Sequence, residues 1–157
     1  ELRVSSRLRR TIRSGRFEIR FDAAFAQVIR ACAETPRGHE DGTWITPEMQ
    51  AAYIRLHELG VARSAEAYRD GRLVGGVYGV AVGRCFCGES MFHVETDASK
   101  AAFVALVERL RAEGVEMVDC QVKSPHLMRF GAREIPRDEF LMRLESGLRD
   151  EHGGEDG

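Results

Sequence analysis

Hydrophobic positions change period along this chain, from spacings of three and four to alternation and back, and the changes mark out a mixed α/β arrangement. Ile19 and Phe21 alternate as in a short strand that ends at Asp22. Asp22 then stands as an N-cap for a helix from Ala23 to Ala33, along which Phe25, Val28, Ile29 and Cys32 recur at helical spacing. A loop rich in turn formers spans Thr35 to Thr43. Thr46, Pro47 and Glu48 give the next helix an N-cap, an early proline and an acidic first turn. Met49, Ala52, Tyr53 and Leu56 form its apolar stripe, and Gly60 stops it.

Strand-like segments follow from Ser64 to Tyr68, Leu73 to Val82 and Cys85 to Val94, with Asp70-Gly71 and Gly83-Arg84 as tight turns, so an antiparallel meander is predicted. Gly75, Gly76 and Gly79 leave the middle strand bare, which either admits another backbone or a ligand, or marks a bulge or twist. A helix from Ala98 to Ala112, apolar at 103, 106, 107 and 110 and stopped at Gly114, crosses to a strand from Met117 to Val122. A short helix near His126 to Phe130 and a last one from Arg137 to Leu148 complete strands and helices packed around one core. One domain over residues 1–148 is expected, and residues 149–157 mix acids with glycine and read as a disordered tail.

Composition agrees with that outline. With 157 residues, 43% of them hydrophobic and 31% charged, the chain is the size of one globular, soluble domain. No apolar run approaches the roughly 20 residues of a bilayer span, so no membrane partner is expected. Cys32, Cys85, Cys87 and Cys120 form no CxxC pair, and no histidine stands at zinc-finger spacing, so no metal site is expected. A reduced, cytoplasmic protein is the natural reading. The chain opens at Glu1 without a signal-peptide core, which points to a fragment or processed product.

Net charge is only -2, yet Arg3, Arg7, Arg9, Arg10, Arg13, Arg16 and Arg20 face only Glu1 and Glu18 in the first twenty residues. Arg7, Arg9, Arg10 and Arg13 are candidates for contacts to nucleic-acid phosphates. A solvated arm is the alternative, because all but two of the 23 basic residues are arginine.

Two isolated acids stand out in core-like segments: Glu89 in Phe86-Cys87-Gly88-Glu89-Ser90-Met91-Phe92 and Asp119 in Val118-Asp119-Cys120-Gln121-Val122. An unpartnered buried carboxylate costs several kcal/mol, so each either faces a cleft and meets a substrate donor, or caps nearby backbone. Other chemistries find no support. The glycines at 75, 76 and 79 precede neither a Lys-Ser/Thr pair nor a helix start, so no phosphate loop or dinucleotide fingerprint is present. His57-Glu58 lacks the second zincin histidine, and Ser90 lacks the nucleophile-elbow glycines. The five histidines are scattered singly and read as surface or satisfied-core residues.

Taken together, these segments resemble one family, the leucyl/phenylalanyl-tRNA protein transferases. The likeness rests on Ser6-Arg7-Leu8-Arg9-Arg10, Asp22-Ala23-Ala24-Phe25, Gly42-Thr43-Trp44-Ile45-Thr46 and Leu56-His57-Glu58-Leu59-Gly60. It continues through Leu73 to Ala81, Phe86 to Phe92, Ala98-Ser99-Lys100, Asp119-Cys120-Gln121-Val122 and His126-Leu127, in order from Ser6 to Leu148. The resemblance implies an α/β fold of the Gcn5-related N-acyltransferase kind, monomeric, with no coenzyme or metal. It implies transfer of Leu or Phe, with Met as a further donor, from Leu-tRNA or Phe-tRNA to proteins bearing an amino-terminal Arg or Lys. Such transfer marks the acceptor for degradation. The family's functional acid falls on Glu89, and its Asp-Cys-Gln block places others on Asp119 and Gln121. Trp44, Val77, Phe86 and Met91 fall on positions of the aminoacyl-adenosine site, Val77 in place of a longer apolar residue. Arg63, Tyr68, His93 and Arg129-Phe130 depart from the pattern, which usually has His, Trp, Ser and Ser-Leu, and the family's small amino-terminal domain has no counterpart here.

An aminoacyl ester is already activated, so aminolysis needs chiefly an aligned, neutral amine, and alignment supplies about 7 to 11 kcal/mol. Asp119 and Gln121, expected as alternate residues on one strand face, would hold and deprotonate that amine, with Glu89 orienting the donor or the acceptor's basic residue. Trp44 either stacks on the terminal adenine or serves packing. Two other readings compete: a coenzyme A-dependent acyltransferase, against which the segment from Phe92 to Ala101 lacks a glycine-rich pyrophosphate loop, and a non-catalytic module binding tRNA or peptide.

Overall fold

The computed structural model of the chain describes residues 1–36, 44–121 and 123–152. Along it run α1 (Ser6–Arg13), β1 (Glu18–Phe21), α2 (Phe25–Glu34), α3 (Pro47–Glu58), β2 (Ala62–Arg69), β3 (Arg72–Val82), β4 (Cys85–His93), α4 (Ala98–Ala112), β5 (Met117–Asp119), α5 (Pro125–Arg129) and α6 (Arg137–His152). The strands form one sheet in the order β1-β2-β3-β4-β5. The first four are antiparallel, and β5 lies parallel to β4 because α4 carries the chain back across the sheet. Asp70 and Gly71, at φ 50° and 74°, supply the two left-handed residues of the β2–β3 hairpin.

Small residues set how closely the helices approach. A Cβ added to Gly75 would lie 2.6 Å from the Ala98 Cβ, and one on Gly76 would lie 3.0 Å from Val28 Cγ2. Successive strand residues point to opposite faces, so α4 lies on one side of the sheet and α2 on the other. Of the alternatives, backbone approach holds at Gly75, whereas at Gly76 the side chains of Val28 and Phe92 fill the space. Two cores result: Val77, Phe86, Phe103 and Leu106 pack under α4, with Leu8 of α1 among them. Val28, Ile29, Tyr78 and Phe92 pack under α2.

Several local expectations are corrected. Asp22 does not cap α2: at φ 54° it turns its carboxylate to the Ser64 amide and Arg63 Nε, each at 2.9 Å. The amides of Ala23 and Ala24 are bound instead by Glu66, a fully buried β2 residue that also accepts from Ser64 Oγ at 2.5 Å. Burial raises the Glu66 carboxyl above its usual range, and those three donors oppose the rise. Residues 6–13, read as basic surface, form α1, capped by Ser5, whose hydroxyl accepts from the Leu8 amide. The strand predicted to Val122 ends at Asp119, and Gln121 takes a left-handed φ of 62°. The last helix passes Leu148 and runs to His152. Arg37 to Thr43 of the predicted loop, Val122 and the end of the predicted tail, 153–157, lie outside the described residues. No helix among the described residues is long and apolar enough to cross a membrane.

Gly75→Ala is expected to cost about 1–3 kcal/mol, because the new methyl meets the α4 backbone as well as a side chain. Urea unfolding checks this, and an unchanged midpoint contradicts the close approach.

Candidate active site

The site begins where two parallel strands part. β4 pairs with β5 only from Cys85 to Cys87 against Met117 to Asp119, after which β5 stops and β4 continues to His93. The gap is a cavity of about 720 Å³. Its apolar wall comes from Val77, Met91, Phe92, Phe103 and Leu127, and Glu89, Ser99, Lys100 and His126 supply polar groups. Cavities beyond the carboxyl ends of parallel strands are common ligand sites, since no strand fills the space.

A bulge aims the acid. Tyr78 of β3 pairs with Ser90 and Gly79 with Gly88, so Glu89 is one residue more than β3 can match. The extra residue reverses side-chain parity: Phe86 packs under α4, whereas Phe92, six residues later, packs under α2. Gly79 is required there, because a Cβ would run into the Cys87 carbonyl and the Phe86 ring. Glu89 accepts from the Tyr53 hydroxyl at 3.1 Å and from Gln121 Nε2 at 3.1 Å. Thr46 caps α3 by accepting from the Met49 amide, and two turns along that helix Tyr53 packs edge-on to Tyr78, ring centroids 5.5 Å apart.

Asp119 accepts from the Gln121 amide at 2.8 Å, closing a tight turn. The two acids therefore meet through Gln121, whose side chain binds one and whose backbone binds the other. Asp119 and Gln121 do not occupy alternate positions of one strand, as expected from sequence, because Gln121 lies beyond its end. Asp119 is not on the cavity wall.

The charges act on their neighbours. Burial, then the Glu89 charge, pushes the Tyr53 phenol up to about 12, so it stays a donor. Burial, then Asp119, raises the thiols of Cys87 and Cys120, which therefore stay protonated. No group of three or more potential metal ligands occurs among the described residues.

The other sequence candidates divide. Val77 and Met91 line the cavity. Phe86, only 2% exposed, lies in the core under α4 and off the wall, held there by the bulge. Trp44 is 43% exposed just before α3 and is also off the wall. Arg9, Arg10 and Arg13 are exposed on α1, and Arg7 pairs with Asp97 at 2.9 Å. His57 stacks on Phe25 at 4.4 Å and hydrogen-bonds the Ala62 carbonyl, a satisfied-core role as read from sequence. Of the departures, Arg63 binds Asp22 and Glu113 and Tyr68 lies under Arg20, whereas His93 lines the cavity. Sequence reading missed Tyr53, taken for core, and the wall residues Ser99, Lys100 and His126. The last three stand in blocks that carry the family resemblance, Ala98-Ser99-Lys100 and His126-Leu127, but no role was read for them.

Solved structures with this architecture define its class. A predicted acetyltransferase with acetyl-CoA from Clostridium acetobutylicum superposes with a TM-score of 0.60 at 11% identity, over 77% of this chain and 92% of that one. A GNAT family acetyltransferase from Brucella melitensis in complex with acetyl-CoA gives 0.56 at 15% identity, over 75% and 83%. Such low identities carry the fold alone: an α/β sheet of the Gcn5-related N-acyltransferase kind. Sequence goes further. Residues 1–145 match the profile of the leucyl/phenylalanyl-tRNA protein transferases, and the chain belongs to that family. A leucyl/phenylalanyl-tRNA–protein transferase of Anaeromyxobacter sp. (strain K) is 58% identical over 147 residues, 94% of this chain and 63% of the relative. That of Chromobacterium violaceum is 56% identical over 149 residues, 95% and 64%. The chain thus spans somewhat less than two thirds of these relatives' length.

In an ultraviolet pH titration, Tyr53 is expected to ionise near pH 12 and to move toward the ordinary value of about 10 in Glu89→Gln, because the neighbouring carboxylate no longer opposes the phenolate. A Tyr53→Phe difference spectrum identifies the band. No movement in Glu89→Gln contradicts the Tyr53–Glu89 bond.

Proposed function

We propose that this chain transfers a leucyl or phenylalanyl group from aminoacyl-tRNA to the amino-terminal Arg or Lys of an acceptor protein, forming a peptide bond and marking the acceptor for degradation. The supporting observation is the Glu89 carboxylate, fixed by Tyr53 and Gln121 on the wall of an apolar cavity. At about 720 Å³ the cavity has the size of a small-molecule site. Val77, Met91, Phe103 and Leu127 surround the donor's side chain, and burying a Leu or Phe there contributes about 1.5–3 kcal/mol.

The acceptor amine arrives mostly as ammonium at pH 7, since a terminal amine has a pKa of about 7.7–8.0. A paired carboxylate favours capture of the ammonium but opposes attack until the proton leaves. Glu89 attracts the cation, through the amine or the basic side chain beside it. Gln121 links the two acids, its side chain on Glu89 and its amide on Asp119, and because Asp119 lies off the cavity wall it accepts the proton through a relay as the amine attacks the ester carbonyl. The ammonium first gives one proton to solvent; the nitrogen–carbonyl bond then forms as the ester C–O bond breaks, and the second proton, taken up by Asp119, is returned to the departing ribose oxygen. Trp44 stacks on a base of the RNA strand, and Arg7, Arg9, Arg10 and Arg13 contact its phosphates. Phe86 supports the wall from within the core.

The test mixes the protein with Phe-tRNA or Leu-tRNA carrying labelled amino acid and a peptide beginning with Arg. Label is expected in the peptide. tRNA binding without transfer assigns a binding module instead, and acetyl-CoA turnover assigns a coenzyme-dependent acyltransferase. Asp119→Asn keeps an oxygen for the Gln121 amide but loses the charge, so its single-turnover rate is expected to fall about 10²-fold or more with donor affinity kept. An unchanged rate removes Asp119 from proton transfer.

A further inference from the structure

A second crevice, of about 280 Å³, lies between the amino-terminal segment, the first turn of α4 and α5. Lys100 and His126 line both it and the larger cavity, so one ligand can run from one into the other. Arg3, Arg7, Lys100 and Arg129 bring four cations to its wall against the single carboxylate of Asp97. That carboxylate, its side chain 6% exposed, is already held by Arg7 at 2.9 Å and Lys100 at 3.3 Å. Burial penalises its charge, yet Arg7 and Lys100 outweigh that and keep it below the usual carboxyl range. The guanidinium groups of Arg3 and Arg129 make no hydrogen bond or ion pair with any described residue.

The wall is built. The Arg3 amide donates to the Phe130 carbonyl at 2.8 Å, fixing the amino-terminal segment against the end of α5. Gly131, at φ 89°, leaves no room for a side chain beneath Glu1 and Arg3. Where the two spaces join, Ser99 is 4% exposed and lines the larger cavity, and its hydroxyl makes no hydrogen bond with any described side chain. Burial, then Lys100, Arg129 and His93, pushes the His126 imidazole below its ordinary value, so it is neutral at pH 7 and sits in a positive field. Arg3, Arg7 and Asp97 share the crevice with it.

We propose that this crevice is a phosphate site, in which Arg3, Lys100 and Arg129 hold a phosphodiester of the RNA strand whose aminoacylated end fills the adjoining cavity. The proposal rests on the reading given under Proposed function. Guanidinium forks match phosphate oxygens bidentately, and Lys100 adds a point charge at the junction. Arg129 is one of this chain's departures from the family pattern, which makes the site a property of this sequence. Of the arginines assigned phosphate contacts above, Arg7 is on this wall, paired with Asp97, whereas Arg9, Arg10 and Arg13 are not.

The test binds the intact protein to an RNA trinucleotide ending in adenosine, to the same trinucleotide with neutral methylphosphonate links, and to inorganic phosphate, while NMR follows the His126 imidazole. The charged strand is expected to bind about tenfold tighter than the neutral one, and to raise the pKa of His126. Arg129→Gln and Arg3→Gln are each expected to weaken the charged strand about tenfold, to reduce the salt slope by about 0.7, and to leave the neutral strand unaffected; the Lys variants recover part of the loss. Equal binding of the two strands, or glutamine variants that bind and shift His126 like the parent, overturns the site while the aminoacyl reading stands. Inorganic phosphate matching the strand in affinity overturns the RNA assignment. Failure of any strand to bind overturns both the site and the reading it rests on.

Discussion

One residue too many in β4 organises this molecule. Because Glu89 has no partner across the sheet, its strand changes parity there, and the same bulge sends Phe86 to one core and Phe92 to the other. The carboxylate that results is half-buried, and the hydrogen bonds from Tyr53 and Gln121 fix its direction. Those two bonds join α3, β4 and the turn after β5, elements distant in sequence. A cavity between parting strands becomes a defined site because its acid is fixed from both sides.

The rest of the fold keeps that geometry rigid. Glycines in β3 let α4 and α2 close on opposite faces, and the small residues Ala98, Ala101 and Ala102 let α4 approach to backbone distance. Charge is graded along the site. Glu89 lines the cavity near the end of β5, whereas Lys100 and His126 line its junction with the crevice that holds Arg129.

Much of this was legible in the sequence where local physics decides the outcome. Thr46-Pro47 starts α3, Asp70-Gly71 turns the hairpin, and the apolar period from Ala98 to Ala112 gives α4. The pairing of Glu89 with Gln121 was foreshadowed only by the oddity of acids in core-like segments and by a resemblance to a family. What failed depended on distant partners. Asp22 looked like a cap, but Arg63 and the Ser64 amide claim it, and Glu66, more than forty residues on, binds the Ala23 and Ala24 amides just before the helix. Period-two counting assumed no bulge, so it could not show that Phe86 leaves the cavity wall. It likewise extended β5 through Gln121, where a side-chain bond from Asp119 turns the backbone instead.

The decisive observation is a crystal structure of the protein with a stable amide analogue of phenylalanyl-adenosine. The expected result is the phenyl ring among Val77, Met91, Phe103 and Leu127, with the amide carbonyl on the Glu89 and Gln121 side of the cavity. A ligand bound elsewhere, or in the cavity with its reacting carbonyl turned away from Glu89, contradicts the assignment of the bulge as the centre of the site.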